Sequence, residues 1–224
     1  MADGTLYLGT RRYSSWSLRG WLAVRLAGLD VEEVVIPLAG TGPGGTAGIA
    51  RVSPSGLVPF LEHRGARVWE SLAICEYCAE YAPGLWPEDR VARAHARSIA
   101  AEMHGGFGGL RRAMPMNLGR HAPGAGHTAE ALADIRRVEA IWAEALAAHG
   151  GPFLFGGRFG LADAMWAPVV ARLLTYAPVL SAASRAYCDA VRAHPLVDAW
   201  YKAAAQEPAT WLLAHYEAVA DQAG

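Results

Sequence analysis

Segments able to form β-strands crowd into the first third of this chain, and none follows them. Thr5-Leu6-Tyr7-Leu8-Gly9 is short, apolar and closed by glycine. Val31 to Pro37 is rich in β-branched residues and ends at proline, and Val58 to His63 and Ala66 to Trp69 flank Gly65 as the arms of a hairpin would. Between the first two, Leu18, Trp21, Leu22 and Leu26 recur near helical spacing, and Gly28 sits where a helix would stop. After the fourth, Leu72, Cys75, Ala79 and Ala82 share one face of a helix that Pro83-Gly84 ends. The order is βαβ, an irregular segment, then ββα. A strand, helix and strand in succession place the two strands parallel. From Pro87 onward only helical periodicity is visible, over 88–118, 128–149, 161–176, 184–193 and 195–206, all rich in alanine. The pattern predicts an α/β plus all-α chain: a small α/β domain over residues 1–83, a linker at 84–88 and an all-helical domain over 89–224.

Composition narrows the function. At 53% hydrophobic and 18% charged, the chain can bury a core and is not of the disordered type. Lys and Arg number 20 against 21 Asp and Glu, so no basic surplus exists to release counterions from nucleic acid. No apolar run approaches the roughly 20 residues that cross a bilayer, and Met1-Ala2-Asp3-Gly4 does not open a signal peptide. Three cysteines do not make a disulfide framework and fit a reducing, cytoplasmic compartment.

Three short stretches could carry chemistry. Ser14-Ser15-Trp16-Ser17 lies where the first strand hands over to the first helix. Unpaired N–H groups and the positive end of the helix dipole favour an anion there, and a serine hydroxyl could donate to a thiolate; serine at such a place also caps the helix. Leu57-Val58-Pro59 puts a proline at the start of an apolar strand, as an edge, a bulge or a cis bond requires. Glu70-Ser71 lies between a strand and a helix, where Ser71 would serve as N-cap or hold a ligand carboxylate.

Taken together and in order, these stretches resemble a bacterial glutathione S-transferase over nearly the whole chain. Ser14-Ser15-Trp16-Ser17-Leu18-Arg19 is similar to the Ser-Ser-Cys-x-x-Arg motif of the zeta class. Ser53-Pro54 through Val58-Pro59-Phe60-Leu61 resembles the family's Asn-Pro…Val-Pro-x-Leu segment, whose proline is cis, and Glu70-Ser71-Leu72-Ala73-Ile74 resembles its Glu/Gln-Ser-x-Ala-Ile motif. The resemblance implies a thioredoxin-like domain, βαβ-α-ββα, followed by an all-helical domain, in a cytoplasmic homodimeric enzyme of detoxification. It implies that Ser14 lowers the pKa of the glutathione sulfur, that Val58 pairs with the cysteinyl backbone, and that Glu70 and Ser71 grip the γ-glutamyl group. Ser15, Trp16, Leu57 and Pro59 complete the glutathione-binding set. The implied reaction joins the thiolate to an apolar electrophile. The alternatives are a glutathione-dependent isomerase or peroxidase, or a non-catalytic binding module of the same fold. Trp16 stands where the zeta motif has cysteine, and Gly56-Leu57 lacks the usual contact to the glycyl end, which Arg51 could supply.

Other features read as structural. Cys75-Glu76-Tyr77-Cys78 falls inside a helix and away from its start, so nothing there activates a thiol. Gly40-Thr41-Gly42-Pro43-Gly44-Gly45 matches G-x-G-x-x-G but is broken by proline, which suits a loop. The eight histidines show no metal-binding spacing, so no metal is expected. Asp163 stands where it can reach back to the Gly160 N–H as half of a capping box. Met103, Phe107, Met114, Met116 and Trp166 are candidates for lining an acceptor pocket, or for ordinary core packing.

Overall fold

The computed structural model describes residues 2–38 and 47–218. The glycine-rich stretch 39–46, with the G-x-G-x-x-G match, lies outside them. Strand β1 (Gly4–Gly9) leads into helix α1 (Ser15–Leu26) and strand β2 (Glu32–Ile36). A short helix α2 (Ala47–Val52) precedes the hairpin of β3 (Phe60–His63) and β4 (Ala66–Trp69), and helix α3 (Ser71–Tyr81) closes the unit. The sheet order is β2-β1-β3-β4, with β1 and β2 parallel and the other neighbours antiparallel. The expected βαβ and ββα halves are therefore both present, joined through β1 and β3. The third strand is shorter than its apolar run, because pairing with β1 begins at Phe60, after Val58-Pro59.

Leu6, Leu8 and Leu61 point from the sheet into a dry core with Leu18 and Leu22 of α1 and Ile74, Cys75 and Cys78 of α3. Burial pushes the Cys75 thiol up and Cys78 up to about 12, so neither is a thiolate at neutral pH. The C-x-x-C match is core packing. Helix α1 approaches the Val58-Pro59 turn closely: a Cβ at Gly20 would stand 2.7 Å from the Pro59 ring and 3.6 Å from Ile74. Gly20→Ala is therefore expected to lower the melting temperature. The rigid ring must be displaced, an overpacking cost of about 1–3 kcal/mol, against a gain of about 1 kcal/mol in helix propensity. A thermal melt with an unchanged or raised midpoint would refute this.

The remaining helices are α4 (Arg90–Gly105), α5 (Gly108–Ala113), α6 (Ala129–His149), α7 (Leu161–Tyr176), α8 (Ala182–Ala193), α9 (Pro195–Ala205) and α10 (Ala214–Glu217). Beyond β4 the only strand-like pairing among the described residues is an isolated bridge between Phe153 and Gly156. The periodic stretch 88–118 is two helices, contrary to expectation. Phe107 is left-handed (φ 61°), and a Cβ at Gly106 would lie 2.7 Å from the Glu102 carbonyl, so the chain turns where only glycine fits. Arg111 holds the turn closed by donating to the carbonyls of Gly106 (2.8 Å) and Met103. The Asp134 carboxylate accepts from the Leu110 N–H (2.8 Å).

Asp163 is the polar centre of the helical domain. Its carboxylate accepts from the N–H groups of Gly160 (2.9 Å) and Leu154 (3.0 Å) and from the Tyr187 hydroxyl (3.1 Å). Helix α1 is the seam between the two parts of the chain. The Arg19 Nε donates to the Met165 carbonyl of α7 (2.9 Å), and Trp21 packs on Trp200 of α9 with centroids 5.3 Å apart.

Candidate active site

The start of α1 is built around a pair of serines. Ser14 is the N-cap: its Oγ accepts from the Ser17 N–H at 3.2 Å and donates its proton to the Ser17 Oγ at 2.8 Å. The Ser17 Oγ also accepts from the Gly9 N–H at the end of β1 (2.9 Å). The sequence suggested both a capping and an activating role for Ser14, and the capping geometry is present. Two of the N–H groups here are already engaged. The Ser14 N–H donates to the Thr10 carbonyl (2.9 Å) and the Ser15 N–H to the Tyr13 carbonyl (3.0 Å), because the loop folds back before the helix begins.

Tyr13 is not an alternative donor. Its hydroxyl gives its proton to Glu217 (2.5 Å), and burial, reinforced by that carboxylate, pushes its pKa up to about 12. The C-terminal segment brackets this loop from outside. Glu207 accepts from the N–H groups of Arg11 (2.5 Å) and Arg12 (3.1 Å), and Tyr216 packs on Tyr13.

The Val58-Pro59 bond is cis. The Val58 side chain lies over Gly9, where a Cβ would meet its methyl at 3.1 Å, so this turn adjoins the Ser14–Ser17 pair. Leu57 beside it is exposed. At the start of α3 the N-cap is Glu70, not Ser71 as the sequence suggested, and Glu70 makes no side-chain cap. Its backbone is strained, with φ 70° and ψ 131°, a conformation that costs on the order of 1–3 kcal/mol in a residue other than glycine. Ser71 occupies the first helical position. Its Oγ is buried and has no hydrogen-bond partner among the described residues. A buried hydroxyl without a partner beside a strained residue makes this junction a candidate ligand contact.

Trp16 is half-buried and lies between two guanidiniums, those of Arg19 (4.6 Å from the ring centroid) and Arg111 (4.9 Å). His104 meets its ring edge-on at 5.0 Å and places Nε2 3.5 Å from the Glu70 carboxylate. Burial holds the imidazole pKa below its usual value, so at neutral pH His104 is uncharged. Arg172 of α7 reaches Ser15, with Nη2 3.5 Å from the hydroxyl oxygen. His104, Arg111, Arg172 and Ser17 were not among the expected site residues. The one hint was an arginine following the apolar run 164–171.

The acceptor-site candidates lie in the interior. Met103, Met114 and Trp166 are fully enclosed, and Met116 and Phe107 nearly so. Phe107 and Trp142 pack edge-on against Trp166, with centroids 5.5 and 5.7 Å away. They pack where α4, α6 and α7 bring their apolar faces together. Among the described residues no three His, Cys, Asp or Glu side chains gather in a way that could hold a metal ion.

A four-stranded sheet with a serine-capped helix at the end of β1, a cis-proline turn and a ligand-ready α3 start, backed by a helical domain, is the thioredoxin-like architecture of the glutathione transferases. Comparison with known families agrees. The glutathione S-transferase N-terminal domain model matches residues 13–80, and the C-terminal domain model matches residues 125–203. The chain belongs to the glutathione S-transferase family.

Protein IN2-1 homolog A of Oryza sativa subsp. japonica is 30% identical over 179 residues, covering 78% of this chain and 68% of that protein. The "Probable maleylacetoacetate isomerase" of Caenorhabditis elegans is 34% identical over 97 residues. That match spans 42% of this chain and only 44% of the relative's length. Among solved structures, a glutathione transferase homolog from Burkholderia gl BGR1, with bound glutathione, superposes with a TM-score of 0.69 at 22% identity. It covers 92% of this chain and 100% of that one.

Proposed function

We propose that this chain is a glutathione transferase in which Ser14 stabilises the thiolate of bound glutathione for attack on an electrophilic carbon. The observation that carries the reading is the Ser14–Ser17 couple at the start of α1. A thiol with a pKa near 8.5 is mostly protonated at neutral pH, and the thiolate is the nucleophile. With sulfur beside Ser14, the Ser14 proton turns from Ser17 to the sulfur. Ser17 then turns its own hydroxyl proton onto the Ser14 Oγ while still accepting from Gly9. The thiol proton leaves to solvent, a C–S bond forms, and the leaving group departs with its electron pair. Each unit by which the thiol pKa falls corresponds to about 1.4 kcal/mol of thiolate stabilisation.

In the same reading Val58 pairs with the cysteinyl backbone at the edge of β3. Ser71 gives its unpartnered hydroxyl to the γ-glutamyl carboxylate, and Glu70 takes the ammonium. Leu57, Pro59, Ser15 and Trp16 form the walls. Ser71→Ala is expected to raise the KM for glutathione on the order of 10-fold with a smaller change in kcat, since it removes a hydrogen bond to a charged group far from sulfur. Steady-state kinetics at varied glutathione check this; a variant with wild-type KM would remove Ser71 from the binding set. The enzyme would act as a homodimer in the cytoplasm. No helix among the described residues is long and apolar enough to cross a membrane.

A glutathione-dependent isomerase is the second reading, favoured by the name of the Caenorhabditis elegans relative. Trp16 in place of the motif's cysteine weighs toward conjugation. Retention on immobilised glutathione, followed by an assay of conjugation to an aryl halide, tests the main reading. A chain that neither binds glutathione nor conjugates would instead be a binding module of the fold.

A further inference from the structure

Three arginines converge on Ser15 and Trp16, and two of them, Arg19 and Arg172, have no carboxylate facing them. Arg19 is fully buried. Its Nε is satisfied by the Met165 carbonyl, but Nη1 and Nη2 have no hydrogen-bond partner among the described residues, and its guanidinium lies over the Trp16 ring. Arg172 is 5% exposed. Its Nη1 donates to the Pro168 carbonyl (2.9 Å) and its Nη2 reaches Ser15, while Nε has no partner. Arg111 approaches the same indole from α5.

Among the described residues no carboxylate forms an ion pair with any of the three. Asp134, which faces Arg111, is engaged by the Leu110 N–H, and the other ionisable groups near Arg172 are Tyr176 and Tyr216. Burial first, then the repulsion of Arg111, lowers the proton affinity of both Arg19 and Arg172. Buried charge with no facing carboxylate, as at Arg19 and Arg172, is among the most costly arrangements a fold can keep, and the idle donors, Arg19 Nη1 and Nη2 and Arg172 Nε, match a planar carboxylate.

We propose that the acceptor taken by this enzyme carries a carboxylate, bound by Arg172 on the Trp16–Ser15 side of the sulfur, with Arg19 and Arg111 supplying a positive field around it. This rests on the transferase reading above and replaces its purely apolar electrophile with an anionic one. The carboxylate would anchor the molecule and leave its reactive carbon turned toward Ser14. The other available source of a carboxylate is glutathione itself, and the experiment separates the two.

The probes are a chloronitrobenzoate and its methyl ester, which share a leaving group and differ by one charge. After correction for their uncatalysed rates, the wild-type enzyme is expected to favour the benzoate in kcat/KM. Arg172→Gln should cut kcat/KM for the benzoate roughly 10-fold or more beyond its effect on the ester, the range for a hydrogen bond to a charged group. Arg172→Lys, which keeps the charge, should recover part of that preference. Arg172→Met, which keeps much of the length of the buried side chain without its charge, is the second variant should the first fail to fold.

Equal losses for both acceptors, or absence of preference in the wild type, would overturn the proposal. So would a rise in the KM for glutathione alone, which would give these arginines to the tripeptide. Calorimetric binding of the benzoate to the protein loaded with S-methylglutathione decides the matter without turnover. Binding that Arg172→Gln weakens supports the carboxylate site even if conjugation fails, and no binding refutes it. Absent conjugation of both probes would count against the transferase reading alone.

Discussion

Ser14→Ala is expected to lower kcat/KM for conjugation roughly 100-fold while leaving the protein folded and able to bind glutathione. Removing one preorganised donor from a charge that must be stabilised typically costs about 10²–10³ in rate. Here the loss appears as a thiol that stays protonated, so activity should recover partly as pH rises toward the thiol's ordinary pKa. The variant also loses the cap on α1, worth about 1 kcal/mol, and a small fall in melting temperature should accompany the kinetic defect. Tyr13 cannot take over, since its proton is committed to Glu217. Turnover at the wild-type level would remove Ser14 from the chemistry and leave it a cap.

Asp163→Ala should have the largest effect on stability. The substitution strands three donors that the carboxylate now satisfies, the N–H groups of Leu154 and Gly160 and the hydroxyl of the buried Tyr187. At about 1–3 kcal/mol for each orphaned buried donor, with partial relaxation, the cost is about 4 kcal/mol. That corresponds to a midpoint roughly 10 °C lower in a chain of this size. Burial raises the Asp163 pKa to about 6 despite these bonds. The folded chain therefore binds this proton more tightly than the unfolded chain. The stabilising contribution of protonation is complete below the ordinary carboxyl value near 4 and is lost as pH climbs through about 6. Asp163→Asn should flatten that stretch of the stability–pH curve. Denaturant titrations between those values, wild type against variant, measure it; an unaltered slope would assign the dependence to other groups.

The fold was largely legible because its signals are local. Alternation and punctuation mark each strand, and Gly28 and Pro83-Gly84 mark helix ends in the sequence itself. The break at Gly106-Phe107 was not, because it is braced by Asp134 of α6, 24 residues from the Leu110 N–H it accepts from, as well as by Arg111. The site was half legible. Ser14, Val58-Pro59 and Glu70-Ser71 lie at the ends of successive elements, where motif and topology coincide. Arg172 lies 157 residues from Ser15, and only the packing of α7 on α1 brings them together. A methionine-rich stretch reads equally as pocket or core, and Met103 and Met114 are both buried. Ser71 looked like a cap because serine begins many helices; one residue of offset makes it an unpartnered hydroxyl instead.

The most direct test is the ionisation of glutathione on the protein, followed by the ultraviolet absorbance of its thiolate across pH. The thiol should titrate at least one pH unit below free glutathione on the wild type and move back toward the free value on Ser14→Ala. Identical titrations of bound glutathione on the two proteins would contradict the role given to that hydroxyl.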